Sequence, residues 1–168
     1  MAHLVDVVRL AYPHSRIVHI IRDGRDVVCS LLEKSWLKPG RAGADDAGLA
    51  YGAYARFWVE DDRRAVFASV SDARRASWAW RSYVSAARSA RADVLELRYE
   101  DMASNPESCA RVLAPHLDVP VDALGQALDR AHPSSVGRYK SELSEEQLAD
   151  VLAEAGGLLR ELGYLDVI

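Results

Sequence analysis

Arg22, Arg25 and Ser30 are the residues of this chain whose types and spacing point most directly to chemistry. They lie in the run Ser15-Arg16-Ile17-Val18-His19-Ile20-Ile21-Arg22-Asp23-Gly24-Arg25-Asp26-Val27-Val28-Cys29-Ser30. Guanidiniums offer planar, bidentate donors that suit phosphate, and a serine hydroxyl adds one more donor. The apolar stretch Ile17 to Ile21 reads as a strand, and Val27, Val28, Leu31 and Leu32 recur at helical spacing. Arg22 thus falls at a strand tip and Ser30 about two turns into the following helix. In open α/β sheets this junction is where phosphorylated ligands bind, because strand ends and helix N-termini converge there. The chemistry implied is recognition of an anion. The alternative reading of the same residues is a surface charge network in a turn, worth little to stability.

Asp23 fits an N-cap and Asp26 the third helical position, an acidic variant of a capping box with both carboxylates near the positive end of the helix dipole. Ser30 follows Asp26 by four residues and shares its face, and Lys34, four further on, continues that face.

The elements that must position these residues can be read in outline. Leu4 to Ala11 suggests a short helix that feeds the first strand through Tyr12-Pro13. A Pro/Gly/Ala segment from Ser35 to Asp45 marks a loop. Tyr51, Tyr54, Phe57 and Trp58 recur at helical spacing, a pattern that more often means core packing than a ligand box. Trp78 to Arg91 reads as an amphipathic helix crossing back over the sheet, so that a second strand from Val94 through Met102 lies parallel to the first. Asn105 with Pro106 opens a helix to about Leu117, and Pro120 to Ala131 gives another. Ser144-Glu145-Glu146-Gln147 is a capping box for the last helix, which Gly156-Gly157 kinks or ends.

At 168 residues the chain suits one domain, with 36–77 a candidate lid insertion. A net charge of −4 argues against a nucleic-acid surface. Cys29 and Cys109 have no metal-ligand spacing and read as buried thiols of a reducing compartment; neither a signal peptide nor a membrane-length apolar run is present. The expected setting is cytoplasmic, with no metal and no membrane. His3, His14, His19, His116 and His132 form no triad or metal pattern. The excess of Arg over Lys and the abundance of Ala suggest a GC-rich bacterial gene.

The segment Ile17 to Ser30 resembles the 3′-phosphate-binding segment of the sulfotransferases that use 3′-phosphoadenosine 5′-phosphosulfate (PAPS): a hydrophobic strand, Arg-Asp-x-Arg-Asp, then Ser eight residues after the first Arg. The resemblance implies that Arg22 and Ser30 bind the 3′-phosphate, and Lys34 matches more loosely a basic position of the tyrosylprotein branch. Val94-Leu95-Glu96-Leu97-Arg98-Tyr99-Glu100-Asp101-Met102 is similar to the family strand ending in Tyr-Glu-Asp-Leu, which assigns Tyr99 to the adenine. Taken alone, Tyr99 would more often be a core or rim residue than a ligand contact. Ser134-Ser135-Val136-Gly137-Arg138-Tyr139-Lys140 resembles a bacterial Ser-x-Gly-Arg-Trp-Arg-like loop that closes on the cofactor, which makes Ser135, Arg138 and Lys140 candidate phosphate contacts. The alternative there is a solvated loop with two ordinary basic residues.

The resemblance implies an α/β fold, a P-loop-NTPase-like parallel sheet flanked by helices with a helix-rich C-terminal part. It also implies transfer of a sulfuryl group from PAPS to a hydroxyl or amine of a small-molecule or protein acceptor that the sequence does not identify. A Pro-Lys-[Ser/Gly]-Gly-Thr-Thr-like loop for the phosphosulfate is not found, nor a Gly-x-x-x-x-Gly-Lys-[Ser/Thr] motif, and no catalytic base is assigned. The expectation is a sulfotransferase-like domain truncated at its N-terminus and inactive alone, prone to self-association or to pairing with a chain that supplies the rest. The alternatives are a noncatalytic nucleotide-binding or interaction module derived from that fold, and a nucleotide-kinase-like relative, against which the missing P-loop counts.

Overall fold

A computed structural model describes residues 2–34, 57–91, 93–128 and 133–166. In chain order its elements are α1 (Val5–Ala11), β1 (Ile17–Ile21), α2 (Gly24–Leu32), α3 (Arg64–Ser69), α4 (Asp72–Ser89), β2 (Val94–Arg98), α5 (Tyr99–Ser104), α6 (Pro106–Leu117), α7 (Val121–Leu128), α8 (Tyr139–Glu142) and α9 (Glu145–Glu161). Single 3₁₀ turns lie at Ala2–Leu4, Asp61–Arg63 and Pro133–Ser135. The chain forms two compact units. One is Met1–Arg22 with Val84–Val136; the other is Asp23–Tyr83 with Gly137–Ile168.

The first unit is built on a parallel pair. β1 and β2 run in register from Ile17 opposite Val94 to Ile21 opposite Arg98. Parallel strands require a long crossover, which the chain between them provides. Ile21 is 2% exposed, whereas Ile20, on the other face of the strand, is 51% exposed. β2 is shorter than its apolar run suggests. It stops at Arg98, and Tyr99 opens α5, whose first turn carries Glu100 and Asp101, where carboxylates favour the helix dipole. The Asn105 side chain caps α6 by accepting from the Ser108 N–H at 3.1 Å, with Pro106 at the first helical position. That helix ends at Asp118, whose φ of 59° is left-handed. Cys109, Ala110, Leu113 and Ala114 form its buried face.

The second unit centres on the aromatic half of α4. Trp78 is fully buried and Trp80 nearly so. Phe67 meets Trp78 and Trp58 edge-on at 5.5 Å in each case. Trp58 is therefore core packing, whereas Phe57 is half exposed. Tyr51, Tyr54 and the loop Ser35 to Asp45 lie outside the described residues. α4 begins at Asp72, well before Trp78. α9 opens with the expected capping box, Ser144 accepting from the Gln147 N–H and Gln147 accepting from the Ser144 N–H. It runs through Gly156-Gly157 without a break. Each glycine costs a helix about 1 kcal/mol. Burial of Val151, Ala155 and Leu159 offsets it, as α9 packs on α2.

Candidate functional site

The residues singled out in the sequence fall into two sets, one within each unit. In the first unit, Arg22 extends from the end of β1, Tyr99 follows directly on β2, and Ser135 closes the Pro133–Ser135 turn. The Arg22 guanidinium lies over the Tyr99 ring, 4.9 Å from its centroid, and donates to the Ser135 carbonyl. The Tyr99 hydroxyl and the Ser135 Oγ are 3.1 Å apart, a hydrogen bond. Parallel pairing explains part of this convergence: Ile21 stands opposite Arg98, so the residues that follow, Arg22 and Tyr99, leave the sheet at the same end. The result is a cation stacked on an aromatic face beside a hydroxyl, a surface suited to a planar base and an anion.

In the second unit, α2 carries the other set. Its N-terminus is capped by the Asp23 carboxylate, which accepts from the Arg25 N–H at 2.9 Å and pairs with the Arg25 side chain at 2.6 Å. Arg25 also donates to the Tyr164 carbonyl at 2.8 Å and lies 4.1 Å from the centre of the Tyr139 ring. Burial lowers the Arg25 pKa, but its bonds to Asp23 outweigh that and leave it raised. Asp23, Gly24, Arg25 and Asp26 thus build the frame. Gly24 is needed for close approach: a Cβ there would sit 2.7 Å from the Trp80 ring.

Asp26 is fully buried, and its two oxygens accept from the backbone N–H groups of Gly137, at 2.7 Å, and Tyr139, at 3.0 Å. Gly137 has φ +77°, a turn conformation that disfavours any side chain. Between these two tethered residues is Arg138, whose Nη1 donates to the Ser30 Oγ at 3.2 Å. Asp26 and Ser30, four residues apart on one face of α2, therefore hold the backbone and the guanidinium of the same turn. Lys34 and Lys140 are exposed, and Lys34 lies past the end of α2, not on the helical face that its spacing suggested.

Sequence reasoning missed three features. The Asp26 tether joins residues more than a hundred positions apart and left no local signal. The Arg138 grip on Glu142 was readable from its four-residue spacing: Nε to Oε1 is 2.8 Å and Nη2 to Oε2 is 2.6 Å. Glu154, with a side chain 2% exposed, takes Arg81 at 2.9 Å, Arg74 at 3.3 Å and Arg63 at 3.4 Å, a buried carboxylate satisfied by three guanidiniums. The Cys29 thiol, beside this second set, is pushed up to about 11, first by burial and then by the Glu142 carboxylate. Among the described residues no group of His, Cys, Asp and Glu side chains is arranged to hold a metal ion. Nor is any described helix long and apolar enough to cross a membrane.

The model of the sulfotransferase family matches residues 1–123. This chain belongs to the sulfotransferase family. The match takes in Arg22, Ser30, Lys34 and Tyr99 and ends ahead of Ser135, Arg138 and Lys140. The helix-rich architecture with a small parallel sheet is consistent with an α/β sulfotransferase fold. No curated protein and no solved structure matches the chain.

Proposed function

We propose that this sulfotransferase-family chain recognises PAPS and its product adenosine 3′,5′-bisphosphate, with Arg22 and Ser30 binding the 3′-phosphate and Tyr99 lying against the adenine. The observation that supports the reading most is the meeting of Arg22, Tyr99 and Ser135, drawn from three distant segments, in one cluster of cation, aromatic face and hydroxyl. Ser30 joins Arg22 in this proposal through its eight-residue spacing and the sequence resemblance. Arg138 lies with Ser30 as a further donor, and Ser135, Lys140 and Lys34 are lesser contacts.

The reaction served is transfer of the sulfuryl group from PAPS to a hydroxyl or amine. The acceptor oxygen or nitrogen attacks sulfur in line, the S–O bond to the 5′-phosphate breaks, and adenosine 3′,5′-bisphosphate leaves. Arg22, Ser30 and Tyr99 contribute anchoring and selection of the nucleotide: a 3′-phosphate distinguishes PAPS from ATP. Proton removal from the acceptor is not assigned to any of them. A thermal-shift comparison tests the assignment. Adenosine 3′,5′-bisphosphate at about a hundred times its Kd should stabilise the chain by about 2.7 kcal/mol. ADP at the same concentration should do much less, and equal responses would remove the 3′-phosphate from the account.

A further inference from the structure

Arg138 is the donor that faces Ser30, yet most of its hydrogen-bonding capacity is already engaged. Its Nε and Nη2 form a two-pronged grip on the Glu142 carboxylate, at 2.8 and 2.6 Å. The remaining nitrogen, Nη1, reaches Ser30 at 3.2 Å. A second carboxylate, Glu33, lies 3.8 Å from Nη2. One guanidinium is therefore flanked by two carboxylates, so the local balance of these three groups is one negative charge. A phosphate approaching Ser30 meets a cation whose bidentate edge is taken and two like charges nearby. Carboxylate and phosphate present similar forks of oxygens to Arg, so the two compete for the same edge.

The Glu142 side chain is 42% exposed and that of Arg138 is 25% exposed. A pair so placed is screened by solvent and weakly held, so a bound phosphate can displace it. From this geometry we infer that Glu142 is an internal rival of the ligand phosphate for Arg138, and that it sets how tightly the nucleotide is held. With the site empty, Glu142 neutralises Arg138. When the phosphate binds, it takes the edge of Arg138 that Glu142 releases. The inference rests on the proposed nucleotide site and adds a residue that weakens it.

Titration of adenosine 3′,5′-bisphosphate into the full chain and its E142Q variant tests this. Loss of the rival charge should tighten binding about threefold to fivefold, the scale of one exposed ion pair. The gain should shrink as salt rises from about 0.05 to about 0.5 M, because exposed charges are screened. It should also vanish when Arg138→Ala is added to E142Q. Unchanged or weaker binding in E142Q would overturn the inference and leave nucleotide binding standing, with Glu142 then serving to position Arg138. A wild-type chain that does not bind the nucleotide at all would overturn both the site and its rival.

Discussion

At the scale of single residues, the acidic members of Arg22-Asp23-Gly24-Arg25-Asp26 are framework, and the role is clearest for Asp26. Its carboxylate is fully buried and satisfies two backbone donors of the turn that presents Arg138. Asp26→Ala would leave two part-buried N–H groups without that acceptor, a loss of about 2 kcal/mol measurable by urea unfolding. Asp26→Asn, which keeps one acceptor oxygen, should lose less. His19 carries a pH dependence of its own. Burial lowers its pKa from 6.5, while Glu96, facing it across the parallel pair, raises it in part and Arg88 on α4 lowers it further. The folded state thus binds this proton less readily than the unfolded chain does, so stability is fullest above pH 6.5 and declines as pH falls below it. The melting temperature should drop between about pH 7.5 and about 5.5 in the wild type, and His19→Gln should flatten that part of the profile.

At the scale of elements, local rules accounted for much of the architecture. The Asn105-Pro106 start and the Ser144–Gln147 box depend on neighbours in sequence, and both formed as expected. Where tertiary packing decides, the sequence was harder to read. Gly156-Gly157 resembles a stop signal, yet α9 continues because its buried face lies against α2. Gly157 faces open space: a Cβ added there would meet no atom within 4 Å, so the helix carries the entropic cost of this glycine for no packing gain. Gly157→Ala should stabilise the chain by about 0.4–1 kcal/mol and raise the melting temperature by a few degrees, checked by differential scanning calorimetry. The second strand begins at Val94 as its apolar run indicates but ends earlier, since an apolar run followed by Tyr-Glu-Asp suits either a strand end or a helix start.

At the scale of the whole molecule, the sequence made the parallel pairing of β1 with β2 and the candidate residues visible, because strand-to-helix transitions and Arg-Asp spacing are local signals. It did not make visible that Arg22 would stack on Tyr99, or that Ser30 would face Arg138, since those contacts follow from how distant segments return to one place. Membership of the sulfotransferase family gives these clusters a common purpose in the proposed account, nucleotide recognition through a 3′-phosphate. The direct test is calorimetric titration of adenosine 3′,5′-bisphosphate into the wild type, Arg22→Ala and Ser30→Ala. Removing a charge-assisted bond should cost Arg22→Ala about 1.5–3 kcal/mol, a tenfold to hundredfold rise in Kd, with a smaller rise for Ser30→Ala. Both variants should bind ADP as the wild type does. If both bind adenosine 3′,5′-bisphosphate with wild-type affinity, the 3′-phosphate is not held by Arg22 and Ser30, and the account fails at its centre.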